Sequence, residues 1–227
     1  MKASFRFLWM LCFLVVGNLT SNADTTDKNL ERAKAEYETE MSEVKKQVLT
    51  FLDKLETSAR KSGNKAMLDF AKAEREEYES VGVLPQSLPI LVRKKFHKIH
   101  DTLDLAFTTA IKEFTKLKRD LDATATEKEL RLFRVNRLVA TFQIQGKWKS
   151  IHGGGSGWSG VFEVVGSEVR FASDQRRGKW ERSGATVTVH YPGGGVSETV
   201  TLDPDSPNEL KGSSSKGGGP LVWVREK

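Results

Sequence analysis

Gln145-Gly146-Lys147-Trp148 divides the chain into two patterns. Before it, apolar residues recur at three- and four-residue steps among Lys and Glu, with few Gly or Pro. From it onward lie most of the nineteen glycines and four of the five tryptophans, and apolar residues fall at alternate positions. A period near 3.6 marks helix and a period of two marks strand. The sequence therefore predicts an α+β protein in two segregated parts. Residues 24–145 form an antiparallel helical bundle or coiled coil, and residues 146–227 a small antiparallel β-barrel or meander.

Working back from the joint, the helical part divides at its turn residues. Leu30, Ala33, Tyr37, Met41, Val44, Val48, Phe51, Leu55 and Ala59 trace one stripe on a first helix. Gly63 suits the left-handed position that ends a helix, and Asn64 suits the cap of the next. Pro89 fits the first turn of a third helix, whose stripe runs from Val92 through Phe96, Ile99, Leu103 and Phe114 to Leu121. Thr124 with Glu127 has the spacing of a capping box opening a fourth. The long-short-long-short order suggests a duplicated αα-hairpin. Sustained stripes suit a coiled-coil seam, which would mediate self-association or contact with a protein partner.

Working forward, Val169/Phe171, Val187/Val189/Tyr191, Val200/Leu202 and Leu221/Trp223 alternate between glycine-, serine- and proline-rich turns. Seven or eight short strands in this spacing form a meander, and closing it removes the exposed edges. Gly146-Lys147-Trp148 at its start and Leu221-Val222-Trp223-Val224-Arg225 at its end resemble the lipocalin or calycin pattern. That resemblance implies that Trp148 packs beneath Arg225. The whole arrangement, with Ala71-Lys72-Ala73-Glu74-Arg75-Glu76-Glu77-Tyr78 in the helices, also resembles uncharacterised secreted proteins of planctomycetes.

The N-terminus reads as a signal peptide over residues 1–23. Lys2 and Arg6 precede the apolar run Phe7 to Val16, and Ser21-Asn22-Ala23 places small residues at a cleavage site. An uncleaved anchor is the rival, but about ten apolar residues cover only half of the ~30 Å hydrocarbon core. The expectation is export to the periplasm or beyond, with no transmembrane segment after cleavage. Cys12, the single cysteine, lies inside that run, so the mature chain has no disulfide framework and no cysteine-based zinc site.

Candidate chemistry is sparse. His152-Gly153-Gly154-Gly155 resembles an esterase oxyanion loop, but Ser156 and Ser159 lack the nucleophile-elbow spacing, and only His190 follows. His97 and His100, with Asp101 and Asp104, share a helix but lack a further ligand set, and read as solvated flank residues rather than a metal site. Arg176-Arg177-Gly178-Lys179-Trp180 mixes basic and aromatic residues, yet Asp174 and Glu181 flank it, which argues against nucleic acid. The formal charge of +6 is spread among interleaved signs. No cofactor motif and no general acid–base pair stands out, so a non-enzymatic interaction or structural protein is expected. The alternative is a carrier or sensor of a small apolar ligand, with Trp158, Trp180 and Trp223 lining the barrel interior.

Overall fold

The computed structural model describes residues 21–153, 159–166, 168–172, 177–191, 195–206, 208–215 and 219–226. Four helices come first: α1 (Ser21–Lys61), α2 (Lys65–Val81), α3 (Ile90–Lys116) and α4 (Asp120–Thr141). Eight strands follow: β1 (Gly146–His152), β2 (Ser159–Val165), β3 (Glu168–Phe171), β4 (Arg177–Ser183), β5 (Thr186–His190), β6 (Ser197–Thr201), β7 (Glu209–Ser214) and β8 (Leu221–Arg225). Each strand pairs antiparallel with its sequence neighbour, and β1 also pairs with β8, which closes the barrel. The expected α+β arrangement is present, and the change of pattern falls at Gly146.

The helix ends follow local chemistry. Gly63 has φ 65°, and the Asn64 side-chain oxygen accepts the Met67 N–H at 3.0 Å. Gly82, at φ 83°, ends α2, its N–H donating to the Tyr78 carbonyl at 2.9 Å. The expected capping box does not open α4. The break falls earlier, where Lys118 takes φ 57°, and α4 starts at Asp120. Thr124 and Glu127 are exposed inside the helix, and Leu121, expected on the third helix, lies on α4 at 88% exposure. Residues Asp120 and Asp122 in the first turn suit the positive end of the helix dipole, which supplies a start signal without a capping box.

The helical stripes are consumed within the chain. Leu30 of α1 packs with Leu103, Phe107 and Phe114 of α3 and Leu130 of α4. Further along α1, Val44, Val48 and Leu52 pack with Phe96 and Ile99 of α3 and with Leu84 and Leu88 of the α2–α3 connection. A seam for self-association leaves the stripes of the first and third helices partly exposed or buries them between chains, whereas a bundle packs them within one chain. They face each other within the chain, and Leu130 of α4 joins the core they form. α2 folds back on the end of α1, where Arg75 contacts Asp53 at 2.5 Å and Glu56 at 2.7 Å. Its buried Glu74 accepts the backbone N–H and the hydroxyl of Ser87, fixing the turn into α3.

The last turn of α4 plugs one end of the barrel. Val139, Phe142 and Ile144 belong to the same core as Trp148, Phe162 and Trp223. Two arginines bind the carbonyls there. Arg182 donates to Val139 at 2.7 Å and Phe142 at 3.1 Å, and Arg225 donates to Gln145 at 3.1 Å and also to Gln143. Cations at a helix C-terminus meet the negative end of its dipole. The ends of β1, β3, β5 and β7 and the starts of β2, β4, β6 and β8 lie at the opposite end of the barrel.

Among the described residues, no helix is long and apolar enough to cross a membrane.

Candidate functional site at the free end of the barrel

Strand alternation sends every second side chain inward. On β1 the inward set is Trp148, Ser150 and His152; on β8 it is Leu221 and Trp223; on β6 it is Glu198 and Val200. Glu198 is thus a carboxylate in the buried phase of a strand, at 1% exposure. Four side chains converge on it. Trp223 Nε1–H donates to Oε2 at 2.7 Å, and Ser150 Oγ–H to the same oxygen at 3.0 Å. Tyr191 O–H donates to Oε1 at 2.6 Å, and His152 Nε2 lies 3.0 Å from that oxygen.

A carboxylate offers about four lone-pair positions, and all four are used here. No lysine or arginine pairs with Glu198 among the described residues. Burial, followed by the bond to Glu198, pushes the Tyr191 hydroxyl far above its ordinary range, so it stays a donor at any physiological pH. The Tyr191 ring stacks on Phe171 with centroids 4.6 Å apart, and Phe162 meets Trp223 edge-on at 4.9 Å. Aromatic pairs therefore lie beside the polar group.

The network does not have the arrangement of a nucleophile relay. A relay needs one imidazole nitrogen on the acid and the other on the nucleophile. Here His152 presents the same nitrogen to Glu198 at 3.0 Å and to Ser150 at 3.5 Å, while Ser150 donates its proton straight to Glu198. The Ser150 hydroxyl is held as a donor to Glu198.

The residues singled out from sequence separate in space. Trp223 is fully buried in the Glu198 network. Trp180 is half-buried, and its indole N–H donates to the Gly166 carbonyl at 2.8 Å, in the β2–β3 turn at the end facing the helices. Trp158 lies outside the described residues, as do Gly154, Gly155, Ser156, Asp174, Arg176 and most of the expected signal segment. Trp148 is fully buried, and the Arg225 guanidinium sits 4.4 Å from its ring centroid. The Trp148 indole N–H donates to the Ile144 carbonyl at 2.7 Å. His190 points outward, 3.2 Å from Glu181.

His97 is exposed as expected, but His100 is not a solvated flank residue. It is 3% exposed between Phe96 and Phe133, with Nδ1 3.0 Å from the Phe96 carbonyl and Nε2 3.0 Å from the Tyr37 hydroxyl. The α1 stripe supplies Tyr37 at that height, so the histidine closes the three-helix core. Its companions from the sequence reading, Asp101 and Asp104, pair with Arg137 and Arg134. No group of three potential metal ligands occurs among the described residues.

Glu198 escaped the sequence reading although its signal was present. It stands two residues before Val200 and four before Leu202, in phase with the inward face. Its four partners come from other strands, and only closure of the barrel brings them together. No family model, curated protein or solved structure matches this chain.

Proposed function

We propose that this chain is an exported, non-enzymatic interaction protein, periplasmic or extracellular, in which a helical bundle and a β-barrel act as one body through their outer surfaces. The observation that carries this reading is the occupation of both interiors. The helical stripes pack on one another, the inward Val, Leu, Phe and Trp side chains of the barrel pack into one core, and the carboxylate buried among them, Glu198, is contacted by four polar side chains. Binding sites for small molecules are concave with a few convergent polar groups left for the ligand, and Glu198 has none to spare. Export rests on the N-terminal pattern of residues 1–23. The lipocalin-like reading of the barrel draws support from its eight-stranded nearest-neighbour closure and from Arg225 over Trp148. The resemblance to secreted planctomycete-type proteins accords with the same reading.

Native mass spectrometry of the chain recovered from an exporting host tests it. The expected result is a chain starting at Asp24, without a small-molecule adduct, found with a protein partner or as an oligomer. An adduct lost on Trp223→Ala would overturn it.

A second reading, a small-ligand carrier or sensor, is favoured by one feature. Glu198 is a carboxyl group buried inside the barrel and bonded by Tyr191, whose ring stacks on Phe171. A ligand with its own donors would have to displace one of the four protein donors. Glu198→Gln should then abolish an adduct seen with the native chain.

A further inference from the structure

The first turns of α3 carry a feature that neither the fold nor the Glu198 network uses. Ile90 and Leu91, the first two residues of α3, are 62% and 76% exposed, adjacent large aliphatic side chains at the start of a helix whose Ile99 and Leu103 are buried and whose Leu105 is 67% exposed. One turn further on, Lys94, His97 and Lys98 share their side of the helix and are also exposed. Residues 81–100 contain no Asp or Glu at all, against Arg93, Lys94, Lys95 and Lys98. Arg93 is engaged in the fold through the carbonyls of Leu88 and Gln86. The three lysines make no ion pair with any described residue, although Glu36 and Glu40 of α1 line the same groove as Lys95 and Lys98. The patch is therefore aliphatic at its centre and cationic at its margin, and it stays cationic after those two carboxylates are counted.

We propose that this face of α3 docks on an anionic lipid surface, Ile90 and Leu91 entering the headgroup boundary while Lys94 and Lys98 meet lipid phosphates. Neither component suffices alone. Exposed aliphatic side chains gain by leaving water, and basic residues beside them gain from the negative surface potential. A nucleic acid would use the lysines but has no use for the aliphatic pair, and an apolar protein groove would use the pair without the lysines. This inference rests on the reading of the chain as a surface-acting protein and names the surface.

The test is vesicle flotation of the chain starting at Asp24, which retains all three hydrophobic clusters, the first beginning at Leu30. The vesicles are pure phosphatidylcholine or phosphatidylcholine with one-third phosphatidylglycerol. Binding is expected only to the anionic vesicles and is expected to weaken with salt. The double variant Ile90→Gln/Leu91→Gln should bind about tenfold more weakly, as expected for an anchoring step that scales with buried apolar area. Lys94→Glu/Lys98→Glu should abolish binding. Both variants change exposed side chains, so unaltered circular dichroism and thermal midpoint show that folding is not the cause.

Equal binding to both vesicle types, no binding to either, or unchanged binding by the aliphatic variant would overturn the proposal. So would preferential binding of an oligonucleotide that survives Ile90→Gln/Leu91→Gln. Failure to float together with a protein partner in native mass spectrometry would overturn the lipid proposal and leave the interaction reading standing. A Trp223-dependent adduct would remove the interaction reading itself.

Discussion

Three residues bear more than their sequence neighbourhoods suggest. Glu198 is the acceptor for Ser150, Tyr191 and Trp223, and His152 lies against it. Glu198→Leu would leave these donors buried without an acceptor, at about 1–3 kcal/mol for each unsatisfied group. The loss expected in urea denaturation is therefore at least about 3 kcal/mol, and Glu198→Gln, which keeps one acceptor oxygen, should lose less. His100 sets a pH dependence. Burial lowers its imidazole from the ordinary 6.5 to about 4, and it pushes the Tyr37 hydroxyl bonded to it up to about 12. Between 4 and 6.5 the unfolded chain binds the His100 proton more readily than the folded one. Stability is thus intact above about pH 6.5 and falls as the pH drops towards 4, by up to about 3 kcal/mol in all. Urea midpoints at pH 7 and pH 4.5 should differ less in His100→Phe than in the native chain; an equal difference would exclude His100 as the source. Lys118 sits at φ 57° without being glycine. Lys118→Gly should raise the thermal midpoint, because relief of the left-handed conformation, worth about 1–2 kcal/mol, exceeds the added chain entropy of glycine, roughly 0.5–1 kcal/mol.

Among the elements, α4 serves two cores. Leu130 joins the helical cluster, while Val139 and Phe142 join the barrel. Its C-terminal carbonyls are held by Arg182 from β4 and Arg225 from β8. Charge-assisted hydrogen bonds of this kind contribute about 1.5–3 kcal/mol each when a buried partner is removed. Arg182→Ala should therefore speed hydrogen exchange at the end of α4 and in the β4–β5 turn, while the α1–α3 contacts stay protected. Uniform loss of protection would show that the arginine supports the whole fold. This element also shows what sequence could and could not place. The apolar spacing through Leu130 and Phe133 identified a helix, but Thr124 and Glu127 suggested too late a start. Side-chain capping is one of several ways to satisfy a helix N-terminus, and acidic residues Asp120 and Asp122 at an earlier turn served instead.

For the whole molecule, the shared core between α4 and the barrel predicts joint unfolding. Calorimetry should give one cooperative transition for the native chain, and Arg182→Ala/Arg225→Ala should split it into separate bundle and barrel transitions. Two transitions already in the native chain would mean that the contact at Phe142 and Trp148 is too weak to couple the parts. The sequence by itself determined the division at Gly146, the helical and strand classes, the alternation that buries Val187, Val189, Val200 and Trp223, and the turn at Gly63-Asn64. These depend on periodicity and on backbone preferences, both local. Only the tertiary structure decided that the α1 and α3 stripes meet within one chain, that His100 is buried against Tyr37, and that Ser150, His152, Tyr191 and Trp223 surround Glu198. Those outcomes join residues far apart in the chain, and periodicity states which face of an element is buried but not what it is buried against.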